Sequence, residues 1–91
     1  MASFLIFQPS GVVRRSFRGR LAQILNLLIG HGARGLTAAD LPPGVRLAAY
    51  VCRLRGEGVP IDTQRDCSKG PWGGTFARYT LAVLVEREGG A

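Results

Sequence analysis

Ninety-one residues, 46% of them apolar, with 12 Lys+Arg against 6 Asp+Glu, describe one small basic domain with no room for a second. A charged fraction of only 20%, with Leu, Ile, Val, Phe and Tyr recurring throughout, argues against a disordered chain, and 13 glycines without a three-residue period exclude collagen. The net charge of +6 speaks to partners and not to fold.

The charge is unevenly distributed. No acidic residue precedes Asp40, whereas Arg14, Arg15, Arg18, Arg20 and Arg34 all do. Every cation but Lys69 is Arg, whose planar fork suits phosphates and guanine edges. No apolar run nears the roughly 20 residues of a membrane span, and Phe4–Phe7 is too short for a signal-peptide core. The expectation is a cytoplasmic protein with Cys52 and Cys67 reduced and no membrane partner. His31 with two cysteines is too few ligands for a structural zinc site, so no metal or other cofactor is expected.

Residues 1–17 are a zone apart. Phe4-Leu5-Ile6-Phe7, then Pro9-Ser10-Gly11, then Val12-Val13-Arg14-Arg15 read as a short strand and turn, or as an arm that orders on a partner. From Arg18 a helical period takes over: Leu21, Ile24, Leu25 and Leu28 fall on one stripe, predicting a helix over about 18–29. Gly30, Gly32 and Gly35 close it, with His31 suited to the negative helix end.

Thr37-Ala38-Ala39-Asp40 opens a second helix, with Thr37 as cap and an acid three residues on. Pro42 disfavours helical geometry at Leu41 and Pro43 adds a second block, so this helix is a single turn or little more. A third helix over about 44–56 follows, its core stripe formed by Leu47, Val51 and Leu54, with Tyr50 at the edge. Arg46, Ala49 and Arg53 occupy its solvent side. Val59 and Ile61 then begin a strand, and Phe76–Val85 is a second β-prone run. Between them, residues 67–74 carry the turn chemistry of a long hairpin loop.

Helix, short helix, helix, strand, glycine-rich loop, strand is an α+β order that resembles a winged helix-turn-helix, with 37–56 as the helix-turn-helix and 67–74 as the wing. The segment Leu47–Asp66 followed by Phe76–Leu81 looks like the small winged helix domains of phages and prophages. Leu54-Arg55, Gly58, Val59-Pro60-Ile61 and Arg78-Tyr79-Thr80-Leu81 carry that resemblance, together with Leu36–Leu41. It covers about 18–83 and implies double-stranded DNA as partner and a role in transcriptional or phage-associated regulation.

The expected organisation is an arm or strand at 1–17, a winged helix domain at 18–85 and a flexible tail at 86–91. The third helix would enter the major groove, with Arg46, Ala49, Tyr50 and Arg53 reading bases. Arg fits guanine edges, and small Ala49 lets the helix sit deep. Arg14, Arg15, Arg18, Arg20, Thr37, Lys69, Trp72 and Arg78 would contact the backbone or the minor groove. Trp72 either folds back on the hairpin or meets DNA or a partner. Arg55 is divided between a structural role and a place beside a phosphate.

Operators are commonly read by two-fold pairs, so a homodimer is allowed. No nucleophile elbow, phosphate loop or acid–base set is visible, so neither catalysis nor a small-molecule substrate is expected. The rival reading is a winged helix used for protein contact or phage assembly, motivated by Phe4–Phe7, Trp72 and the Leu81–Val85 strand.

Overall fold

In the computed structural model, which describes residues 2–67 and 75–88, the N-terminal zone is not one strand but two. β1 (Ala2–Gln8) and β2 (Gly11–Phe17) form an antiparallel hairpin, in register from Ala2 opposite Phe17 to Gln8 opposite Gly11. Gly11 takes φ +138° to turn the chain at Pro9-Ser10, a conformation that favours glycine. Alternation sends Phe4 and Ile6 inward to complete burial, and Phe17 joins them with its ring 6.0 Å from that of Phe4.

α1 (Gly19–His31) buries Ala22, Ile24, Leu25 and Leu28, so three residues of the predicted stripe face the core while its first, Leu21, packs half-buried against it. The helix passes through Gly30 and stops where Gly32, at φ +55°, leaves helical geometry. A single 3-10 turn, Gly32–Arg34, follows.

The expectation of three helices is corrected. The described residues contain two α-helices, and the second predicted helix is a 3-10 turn at Ala38–Asp40. Leu41 is already extended (φ −118°, ψ 156°), as the proline after it demands. Pro42–Val45 is then a β-turn: the Val45 amide donates to the Pro42 carbonyl at 3.3 Å, with Pro43 second and Gly44 third at φ +90°. That turn delays the next helix, so α2 runs from Leu47 to Gly56 and not from residue 44. Leu47, Val51 and Leu54 are its buried side.

β3 (Ile61–Cys67) and β4 (Thr75–Leu81) pair antiparallel from Ile61 opposite Leu81 to Cys67 opposite Thr75. Leu36 adds a bridge to β4, its amide donating to the Tyr79 carbonyl at 2.8 Å and its carbonyl accepting from the Tyr79 amide at 2.9 Å. The continuous strand expected over Phe76–Val85 is broken. At Ala82 the backbone turns to donate to the Pro60 carbonyl at 3.0 Å, and Leu84 begins β5 (Leu84–Glu88). β5 pairs with β1, giving a three-stranded sheet in the order β2-β1-β5. Residues 86–88, read from sequence as tail, therefore belong to a strand.

One apolar core joins both sheets and both helices. Phe4, Ile6 and Val85 from the N-terminal sheet meet Leu25, Leu28, Leu36, Leu54, Val59 and Tyr79 in a single cluster. Among the described residues, no helix is long and apolar enough to cross a membrane.

Candidate functional site

The burial of Leu47, Val51 and Leu54 turns the opposite side of α2 outward. Arg46 precedes the first turn, and Ala48, Ala49, Cys52 and Arg53 are exposed along the helix. Tyr50 is half-buried at the flank. Two alanines on this face let another body approach the helix backbone closely.

Grooves run along both sides of this face. On one side, the end of β2 and the start of α1 meet α2 in a groove of about 390 Å³ lined by Ser16, Arg18, Arg20, Tyr50, Arg53 and Glu57. Three guanidinium groups against one carboxylate make it locally cationic. On the other side, the 3-10 turn, the start of α2 and β4 enclose a mostly apolar groove of about 540 Å³, with Ala38, Ala39, Arg46, Ala49, Ala77 and Tyr79 on its walls.

Of the residues singled out in the sequence, Arg18, Arg20, Tyr50 and Arg53 thus come together, and Arg46 with Ala49 stands on the same helix face. The others are dispersed. Arg15 is exposed on β2, level with Phe4 of β1. Arg14 lies on the opposite face of that sheet and donates through Nε to Glu88 at 2.8 Å. Thr37 is buried, its hydroxyl donating to the Asp40 carboxylate at 3.2 Å and its amide to the same oxygen at 2.9 Å. Arg78 donates through a terminal nitrogen to the Arg34 carbonyl at 2.7 Å. Lys69 and Trp72 lie outside the described residues, as does the loop of the wing.

The Asp40 carboxyl is held below the ordinary carboxylate range, chiefly because the Thr37 amide donates to it. Partial desolvation opposes this, while the Thr37 hydroxyl and the positive charges of His31 and Arg34 reinforce it. The His31 ring is itself fixed, with Nδ1 donating to the Gly35 carbonyl at 2.9 Å. Among the described residues, no cluster of His, Cys, Asp and Glu is grouped to hold a metal ion.

Two residues acquire roles that sequence reasoning left open or missed. Arg55 reaches back from the end of α2 to the Ile61 carbonyl, through Nε at 3.1 Å and a terminal nitrogen at 2.7 Å, and also meets the Thr63 hydroxyl at 2.5 Å. It fastens the helix to the first strand of the wing. Glu57 lies in the cationic groove, and its place four residues after Arg53 was the available signal.

Residues 14–90 match a protein family described as a winged helix domain. No curated protein and no solved structure matches the chain.

Proposed function

The chain belongs to the winged helix domain family, and from that premise we propose that it is a sequence-specific binder of double-stranded DNA, serving as a transcriptional regulator in a phage, prophage or other mobile element. Membership of that family suggests DNA binding in general. The finer parts of the proposal rest on this chain's own residues.

In this reading α2 enters the major groove. Arg46 and Arg53 meet base edges, Ala49 gives close approach, and Tyr50 packs at the flank. Arg18 and Arg20 take phosphates beside the groove, Arg15 adds charge from β2, and Lys69 reaches the backbone from the wing. Thr37 and Arg78, whose polar groups bond within the domain, contribute by holding the helix-turn-helix and the wing in place. A homodimer would place two such helices on two half-sites. The regulatory assignment is supported by the phage-type pattern of Leu54-Arg55, Val59-Pro60-Ile61 and Arg78-Tyr79-Thr80-Leu81.

One observation carries the proposal: Arg53 of α2 shares a groove with Arg18 and Arg20. A phosphate held by the start of α1 therefore brings the adjoining bases to the exposed face of α2. The test is fluorescence anisotropy on DNA selected for binding, repeated over a series of salt concentrations. Arg53→Ala should cost about 1–3 kcal/mol on the selected site and relax preference at one base pair. Arg20→Ala should weaken all sequences alike and lower the log–log salt slope by about one. A salt slope near zero for the unaltered protein would overturn DNA binding, and equal losses on every sequence from Arg53→Ala would overturn its base-reading role.

A further inference from the structure

The three-stranded sheet covers the core with one face only. Its other face carries Ser3, Leu5 and Phe7 from β1, Val12, Arg14 and Ser16 from β2, and Leu84, Glu86 and Glu88 from β5. The register sorts these into levels. Phe7 lies between Val12 and Leu84, and Leu5 lies between Arg14 and Glu86. Val12 and Leu84 are 57% and 60% exposed, and together they are two of the three large apolar side chains that are exposed among the described residues.

The charge of this face departs from that of the molecule. Two of the chain's 6 acidic residues stand here with a single Arg, giving a local charge of −1 on a chain of net charge +6. Such a surface repels a phosphate backbone. Arg14 engages Glu88, and Glu86 has no ion-pair partner among the described residues.

We propose that this face pairs with a second copy of itself about a two-fold axis parallel to β1. The register makes it self-complementary in that arrangement. Rotation about such an axis exchanges the two edges of the sheet, so β2 of one copy covers β5 of the other. Arg14 then stands opposite Glu86 of the second copy, and Val12 opposite Leu84 of the second copy. Phe7 meets its own equivalent across the axis. A two-fold axis running across the strands at the level of Leu5 would instead set Arg14 against its own equivalent and Glu86 against its own, which like-charge repulsion disfavours. The favoured arrangement is the aligned packing of two sheets about 10 Å apart.

Three strands about 4.8 Å apart, two of them about 23 Å long and β5 about 17 Å long, offer a footprint of roughly 300 Å² per copy. Twice that, about 600 Å², is below the roughly 1,200 Å² at which standard specific interfaces begin, so the pairing is weak and concentration-dependent. The inference rests on the homodimer element of the function proposed above, and it is read out without DNA, so its failure leaves the DNA interface standing and the converse also holds.

Sedimentation equilibrium of the full chain over about a hundredfold range of concentration tests it. The mass of the unaltered protein should rise from 9.8 kDa toward twice that value. Arg14→Glu and Glu86→Arg should each weaken self-association at least tenfold, about 1.4 kcal/mol or more. An equimolar mixture of these two variants should regain it, because both cross-axis contacts then join opposite charges. Leu84→Asp should also leave a monomer, and thermal melts of each variant establish that it is folded. Arg53→Ala should leave the mass unchanged. A monomer at every concentration overturns the proposal. So does a dimer indifferent to Arg14→Glu and Glu86→Arg, or a mixture with no advantage over either variant alone.

Discussion

Gly35 and Arg78 lie so close that a methyl group on the first would sit 2.6 Å from Cγ of the second and 3.0 Å from its Cδ. The backbone of Gly35, at φ +80°, also favours glycine over any residue with a Cβ. Over that glycine, the Arg78 stem carries its guanidinium to the Arg34 carbonyl, tying β4 to the chain just before the helix-turn-helix. Gly35→Ala should therefore lower stability by about 1–3 kcal/mol in denaturant unfolding. In an Arg78→Ala background the penalty should shrink without vanishing, because the clash with Arg78 is relieved while the close approach to Thr80 Cγ2, at 3.1 Å, and the backbone part remain.

Arg53 and Arg55 are two positions apart on α2 and serve different ends. The Arg55 guanidinium bonds to the Ile61 carbonyl and the Thr63 hydroxyl, whereas Arg53 opens into the cationic groove. Arg55→Ala should cost about 1–2 kcal/mol of folding stability, with the affinity of the folded fraction for DNA unchanged. Arg53→Ala should show the reverse. Paired urea melts and anisotropy titrations separate the two.

Phe4 is fully buried between the sheet and the helices, in ring contact with Phe17. Phe4→Ala should cost about 3–5 kcal/mol, a large share of the roughly 5–10 kcal/mol expected of a domain this size. Deletion of residues 1–13 removes Ile6 as well and the central strand of a sheet, and circular dichroism should show it unfolded. A truncated protein with an undiminished melting temperature would contradict the placement of these residues in the core.

The lowered pKa of Asp40 sets the sign of a pH effect. A carboxyl whose folded pKa lies below its unfolded value stabilises the fold above the unfolded pKa, near 4. That contribution is lost as pH falls through the folded value. The stability gap between the unaltered protein and Asp40→Asn should therefore be full at about pH 6 and close toward about pH 2. Thermal melts across that range measure it, and a gap independent of pH would show that the Asp40 charge contributes nothing. Asp40 is solvent-exposed, so the effect is small.

What the sequence alone determined is what depends on neighbours in the chain. The stripes of α1 and α2 follow from spacing, because residues three and four apart share a helix face whatever lies beyond it. Pro42 shortened the second helix for an equally local reason, down to the single turn at Ala38–Asp40. The strands of the wing, at Ile61–Cys67 and Thr75–Leu81, could likewise be anticipated from alternation.

Only the tertiary structure decided the rest, and the physical reason is that strand pairing and hydrogen-bond partners are non-local. Nothing within Phe76–Val85 states that its last residues desert β4 to pair with β1 nearly eighty positions earlier. The same pairing converts residues 1–17 from an undecided arm or strand into a wall of the core. The arginines show it most plainly. Arg14, Arg53, Arg55 and Arg78 are alike as letters, yet one meets a carboxylate on a sheet, one lines a cationic groove and two bond to backbone carbonyls within the fold. Which of these an arginine does depends on what chain segment the fold brings within about 3 Å of its guanidinium, and composition carries no record of that.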